Sequence, residues 1–272
     1  MVNNKTIKHK INPKIKQIKQ NKTIKKRKNT LSNKDSFVFF DDDFYGNINP
    51  FRQSFPLIKS ILVPDKPYNQ ILRGKPDFYY PMMFLNKYKN NKYAQELVKG
   101  ITIEKSYNVC EECLNSTGQG ISIKEMKNII KWSNTPSIKS RSVFFDWDKT
   151  ISVCNGIYLP ENTNTQYKLT GINNFSFIDI AQYLAGTKER FDTLQIMFFH
   201  LRKNGVDCKI FTNNGWGNLV KGFEKNFQFF LNIVRVFDPQ MKPDDIIYGN
   251  RNKEKTFKES DLLMKLYNNL KL

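Results

Sequence analysis

The 272-residue chain contains no apolar run approaching the roughly 18 residues that a membrane-spanning helix needs, and its first residues lack the hydrophobic core of a secretory signal. These absences argue against the helical membrane classes and point to an intracellular protein, cytoplasmic or nuclear. Cysteine is scarce, with four in all: Cys110 and Cys113 stand together in "CEEC", whereas Cys154 and Cys208 are isolated. That is a poor disulfide framework and fits a reducing compartment. "CEEC" offers two zinc ligands where a structural zinc site takes four, and no second CxxC or HxxxH follows, so the pair reads as loop thiols without metal. The two histidines, His9 and His200, stand in no pattern that asks for a functional account, and there is no internal repeat.

Acid is what the first 34 residues lack. Between Met1 and Lys34 there are eleven Lys and one Arg with no Asp or Glu, so +12 of the net charge of +19 belongs to this segment and +7 is left for the rest. Its Ile residues follow no sustained period that would bury them, and the expectation over 1–34 is a disordered basic tail. Such an arm suits a nucleic acid or another polyanion as partner, and "KKRK" has the form of a nuclear-import patch. The plainer alternative is a solubilising extension in a chain rich in Lys, Asn and Ile throughout.

Hydrophobic residues make up 39% of the chain, enough for a buried core. From 35 to 140 the patterns are irregular and read as an accessory region. "SFVFFDDDFYG" is a short apolar strand ending in acids, and the Pro-rich "PFRQSFPLIKSILVPDKPYNQ" reads as loop. Ser122 and Glu125 form a capping-box pattern that predicts a short amphipathic helix to about Trp132, closed by "SNTP".

From 141 to 272 short apolar runs alternate with helical patterns. "SVFF", "CKIF", "IVRVF" and "DIIYG" read as strands. Between them lie a helix stopped by Gly186, a longer one with Phe191, Leu194, Phe198 and Leu201 on one face and Gly205 at its end, and a third lined by Val220, Phe223, Phe227 and Phe230. A terminal helix is striped by Phe257, Leu263, Leu266 and Leu270. Strands separated by helices of this length predict an α/β fold, a parallel sheet with helices on both faces, with a small insertion at about 151–186. In such sheets chemistry gathers at the carboxyl ends of the strands.

"SVFFDWDKTIS", residues 142 to 152, places Asp146 where a strand leaves the sheet and Asp148 two residues on, so that extended backbone points both carboxylates to one side. Two such acids repel, and one pKa rises. A divalent cation relieves the conflict, as does a division of labour in which one acid stays ionised and the other carries a proton. Phosphoryl transfer uses both: the ionised acid attacks phosphorus, the protonated one donates to the leaving oxygen, and Mg²⁺ offsets the charge.

These residues resemble a known family. "FFDWDKT" is similar to the first motif of the haloacid dehalogenase superfamily in its phosphatase form, hydrophobic strand then DxDx[TV], and "CKIFTNN" resembles the second, a strand ending in Thr or Ser. The resemblance implies that Asp146 is the nucleophile and a Mg²⁺ ligand. It makes Asp148 the general acid and base, also binding the metal through its backbone carbonyl, and Thr212 a hydroxyl contact to the phosphoryl group. The third motif, a Lys at the start of a later helix, is best matched by Lys253 in "YGNRNKEKTFKE", with Lys255 next. The bland alternatives are a helix cap for Thr212 and an exposed first-turn lysine for Lys253.

The family's fourth motif, a later strand ending in one or two acids that complete the Mg²⁺ site, has no counterpart before Leu272. Asp238, Asp244 and Asp245 precede the Lys and stand in the wrong order. "FVFFDDD" near the N-terminus has the required form, so Asp41, Asp42 or Asp43 is a candidate to fold back beside Asp146, the alternative being an exposed acidic turn facing the basic tail. Two functions follow as expectations: a Mg²⁺-dependent phosphatase working through an aspartyl-phosphate, or a truncated, inactive domain kept for binding or structure. The small insertion implies an open site, which beside a basic arm suits a polyanionic substrate such as a phosphorylated nucleic-acid end.

Overall fold

Side chains alternating from one face to the other at every second residue build the centre of the protein. In β1 (Phe37–Asp41), Phe37 and Phe39 enter one hydrophobic core while Val38 and Phe40 enter another on the opposite face. The same division holds in β3 (Ser142–Phe145), with Phe144 on the first side and Val143 and Phe145 on the second, and in β4 (Asp207–Thr212), with Phe211 against Cys208 and Ile210. A computed structural model describes residues 31–63, 120–137, 140–153, 176–213, 224–249 and 252–270. Residues Leu31–Leu272 form one unit.

The sheet has five parallel strands in the order β2-β1-β3-β4-β5, with β2 at Lys59–Leu62 and β5 at Ile246–Tyr248. Helices cover both faces, as parallel sheets require. On one side lie α1 (Asn49–Ser54), α6 (Lys253–Glu259) and α7 (Asp261–Asn269), whose Phe51, Phe257, Leu263 and Tyr267 pack with Phe37, Phe39, Phe144 and Phe211. On the other lie α2 (Ile123–Asn134), α3 (Phe177–Ala185), α4 (Lys188–Lys203) and α5 (Glu224–Phe237). The first core is almost wholly aromatic, with ring centroids 4.6 Å apart for Phe37–Phe144, 4.6 Å for Phe39–Phe51 and 4.5 Å for Phe55–Phe257. Burying each such ring stabilises by about 1.5–3 kcal/mol.

Several local readings hold. Ser122 Oγ accepts from the Glu125 amide at 3.2 Å and Glu125 Oε2 accepts from the Ser122 amide at 2.9 Å, so the capping box starts α2, which runs to Asn134. Gly186 and Gly205 take positive φ, 84° and 66°, after α3 and α4.

Others are corrected. The described parts of 35–140 are no separate accessory unit: β1 and β2 lie in the same sheet as β3, and α2 packs on it, because the apolar strand "FVFF" finds both its faces buried only inside the sheet. The tail boundary moves as well, since Leu31 packs against the core. The Pro-rich stretch read as loop contains α1 and β2. Pro50 stands in the first turn of α1, where a missing N–H costs nothing, and β2 is an edge strand pairing only with β1. "IVRVF" is the end of α5 and not a strand; Phe227, Phe230, Leu231, Val234 and Phe237 make one continuous helical stripe, and β-branched residues do not outweigh that burial. The terminal helix is two, with Ser260 ending α6 and capping α7. The readings that concern residues 1–30, Cys110, Cys113, Cys154, Val220, Phe223 and most of the 151–186 insertion lie outside the described residues; Cys208 is a buried thiol in β4.

The capping box yields a direct test. Ser122→Ala removes an acceptor for an otherwise unpaired amide at the start of a twelve-residue helix and should cost about 1 kcal/mol in urea unfolding. A midpoint equal to that of the unaltered protein would show that α2 is held by packing alone.

Candidate active site

Because all five strands run the same way, their carboxyl ends share one edge, and the strand order reverses between β1 and β3. That reversal is where doubly wound sheets form ligand crevices. β1 ends in Asp41, β3 leads directly into Asp146, β4 ends in Thr212, and β5 leads through Gly249 to Lys253 at the start of α6. The backbone ties these ends together: the Asp146 amide donates to Phe40 O at 2.9 Å and the Gly249 amide to Thr212 O at 2.7 Å.

Lys253 stands at the centre. Its side chain is buried, and Nζ lies 2.6 Å from Asp41 Oδ2 and 2.6 Å from Asp146 Oδ1. It also approaches the rings of Phe39 and Phe211, at 5.8 and 6.0 Å from their centroids. Burial disfavours the charged ammonium, but Asp146 and Asp41 outweigh it and hold Lys253 above its ordinary pKa. Burial also pushes the Asp146 carboxyl well above the carboxylate range; Lys253 opposes this, while Asp41, Asp148 and Asp42 add to it. The exposed alternative for Lys253 is thus excluded. Lys255 is exposed and faces Glu259 at 3.7 Å.

The three consecutive acids after β1 do three different things. Asp41 is fully buried, and its Oδ1 accepts from the Asp43 amide at 2.8 Å and from Asn47 Nδ2 at 3.1 Å while Oδ2 faces Lys253. Asp43 caps the next turn, Phe44–Ile48, by accepting from the Gly46 amide at 2.8 Å, and so returns Asn47 to Asp41. Asp42 is half-buried at the mouth. Its carboxyl is pushed up to about 7 by burial and by Asp41, against the pull of Lys149 and Lys253.

Carboxylate oxygens of Asp41, Asp42 and Asp146 all lie within 4.8 Å of one another. The acidic stretch of β1 therefore folds back beside Asp146, and the exposed-turn alternative is ruled out for Asp41 and Asp42. Asp238 and Asp245 belong elsewhere. They meet Arg202 at 2.8 and 3.1 Å, and Asp245 also meets Lys209 at 3.2 Å, at the edge of the sheet where the strands begin.

Asp148 is half-buried in the tight turn Trp147–Ile151, in extended backbone (φ −66°, ψ 131°), and the following Lys149 is left-handed at φ 52°. Trp147 points its ring into the core, 4.9 Å from Phe230. Thr212 is fully buried and occupies the strand beside β3. The structure thus brings Asp146, Asp148, Thr212 and Lys253 to one edge and adds Asp41 and Asp42. Asn47 and Gly249 were not foreseen. A Cβ on Gly249 would stand 2.7 Å from Lys253 Cγ and collide with Asn213 Oδ1, so only glycine lets Lys253 pass. A lone glycine between a strand and a helix gives no such signal without the lysine's path.

The charges do not balance. Asp41, Asp42, Asp146 and Asp148 against Lys149 and Lys253 leave two negative charges when all are ionised. A divalent cation would neutralise them. Neighbouring oxygens on an octahedral Mg²⁺ at about 2.0–2.1 Å stand roughly 3 Å apart, so these acids, whose oxygens lie within 4.8 Å of one another, would have to draw together to hold such an ion. No family model, curated protein or solved structure matches this chain.

Lys253→Met leaves two buried carboxylates without their cation and should destabilise the fold by roughly 3–5 kcal/mol in urea unfolding near pH 7. Because protonation removes the repulsion, the deficit should shrink toward pH 5. A deficit independent of pH would show that the loss is one of packing.

Proposed function

We propose that the chain is a haloacid dehalogenase-like phosphohydrolase that cleaves phosphomonoesters through an aspartyl-phosphate on Asp146, with its metal-site acids supplied by the N-terminal strand. The observation that carries this reading is the convergence of Asp42 and Asp146 at the switch point, with Lys253 buried between Asp146 and Asp41.

The roles are those the family resemblance implies, with Asp41 and Asp42 added from their positions beside Asp146. Both oxygens of Asp41 are engaged, so it holds Lys253 in place; Asp42 and Asp146 are left to hold Mg²⁺, with the Asp148 carbonyl as the family's further ligand. Mg²⁺ would supply charge neutralisation at the phosphoryl oxygens. An Asp146 oxygen attacks phosphorus as the ester P–O bond breaks, and Asp148 gives its proton to the departing oxygen. Asp148, now ionised, takes a proton from water, whose oxygen attacks phosphorus and releases Asp146 and inorganic phosphate. Thr212 donates to a phosphoryl oxygen, and Lys253 screens phosphate from Asp146. The rival reading of an inactive binding protein rested on a missing acidic strand, and the acids of β1 beside Asp146 weigh against it.

The test is turnover of p-nitrophenyl phosphate with and without Mg²⁺. Turnover that needs Mg²⁺ and falls by at least about 10³-fold in Asp146→Asn is expected; an active Asp146→Asn would overturn the assignment. Metal binding has a separate pH signature. Asp42, raised to about 7, carries a proton below that pH, and the ion must expel it. Mg²⁺ affinity, followed by calorimetry on the metal alone, should therefore fall as pH drops through about 7, and because Asp146 is also held above the carboxylate range the fall can exceed tenfold per unit. Asp42→Asn should weaken binding and make this dependence shallower, leaving the part due to Asp146, and unchanged affinity would remove Asp42 from the site.

A further inference from the structure

Arg190 lies in the first turn of α4, at the end of a helix that repels positive charge, and its side chain is buried. A guanidinium there needs strong compensation. It donates to four main-chain carbonyls: Nε to Ile121 O at 3.1 Å, Nη1 to Ala185 O at 3.2 Å, and Nη2 to Thr150 O at 3.1 Å and Ile151 O at 2.7 Å. These acceptors belong to three separate segments: the entry to α2, the end of α3, and the turn that carries Asp148. Two backbone bonds run alongside, from the Ile121 amide to Thr150 O at 2.8 Å and from the Val153 amide to Leu184 O at 2.9 Å. Gly120 has φ +59°, and a Cβ there would lie 2.5 Å from Thr150 O and collide with Arg190 Nη2. The chain has been left bare where the guanidinium passes.

We infer that Arg190 is a positioning residue for Asp148: by fixing the carbonyls of Thr150 and Ile151, it sets the height of the acid two residues earlier relative to Asp146. This rests on the phosphohydrolase reading for its catalytic consequence. The left-handed Lys149 between Asp148 and Thr150 is the only positive-φ residue other than glycine among the described residues, so the turn holds a conformation that needs an external anchor. A lysine at 190 would keep the charge but lose the planar fork that reaches several carbonyls at once.

The experiment compares unaltered protein, Arg190→Lys and Gly120→Ala, which crowds the guanidinium without removing it, on p-nitrophenyl and phenyl phosphate. Phenoxide leaves poorly without a proton, so a misplaced Asp148 should lower kcat/KM on phenyl phosphate by about 10–100-fold, a constant that reports the steps through transfer to Asp146 and not the later attack by water common to both esters. The loss of kcat/KM on p-nitrophenyl phosphate should be about threefold or less. Peptide-resolved hydrogen exchange should show faster exchange over 146–153 and 120–122, with α6 and α7 unchanged. Equal losses of kcat/KM on the two esters, or loosening spread over the whole sheet, would overturn the inference and leave a purely structural arginine. If the unaltered protein turns over neither ester with Mg²⁺, the function fails and the catalytic role of Arg190 with it. Turnover of both, with an unaltered leaving-group ratio in the variants, sinks the inference alone.

Discussion

A single ammonium group, Lys253 Nζ, is held between two buried carboxylates 2.6 Å away on either side, and the edge of the sheet is organised around it. Neither Asp41 nor Asp146 could be buried at the ends of adjacent strands without a cation between them, since like charges in a poorly polarisable surround repel strongly. Lys253 in turn could not stay charged above the rings of Phe39 and Phe211 without both acids. The three groups come from residues spread over more than two hundred positions, so the ion triad closes the sheet as well as preparing a site. When Asp42 and Asp148 are ionised as well, the cluster carries net negative charge, which is why the proposed function gives it a divalent cation.

The surrounding fold buries the heart of this arrangement. One face of the sheet is filled with aromatic rings from β1, β3, β4, α1 and α6, and α6 is the helix that delivers Lys253. Its register is set where β5 ends: Gly249 bonds to Thr212, and the side chain of Lys253 passes over a position where any Cβ would block it. On the other face the turn after Asp146 is braced from below by α4 through Arg190. The two faces therefore contribute different things, one the cation and its apolar bed, the other the stiffness of the loop that carries Asp148. The functional proposal draws on both, because phosphoryl transfer gains most of its rate from groups that are already in place.

Much of the candidate site could be read from short stretches of text. Asp146, Asp148 and Thr212 each follow an apolar strand, and Lys253 opens a helix just beyond Asn252, so strand ends and a helix start locate them without coordinates. Four apolar runs are strands as their pattern predicts, "FVFF", "SVFF", "CKIF" and "DIIYG", and the first three are buried on both faces. The errors have a common origin. "IVRVF" carries strand propensity over five residues but belongs to a fourteen-residue helical stripe whose start falls beyond the window in which it was read. "PFRQSF" opens with a proline, yet that proline sits in a helix's first turn, where it is no obstacle. In both cases packing over a longer range decided what local preference could not.

By itself the sequence determined that this is an α/β chain with acids at strand ends, because alternation, caps and glycine stops are local signals set by backbone geometry. It also left "FVFFDDD" with two destinations, beside Asp146 or in an exposed acidic turn. Only the tertiary structure decided that β1 lies beside β3, that Asp41 serves Lys253 while Asp42 faces the mouth, and that Asp43 does no more than cap a turn. Strand order is a matter of which faces can be buried together, and no stretch of chain carries that information alone.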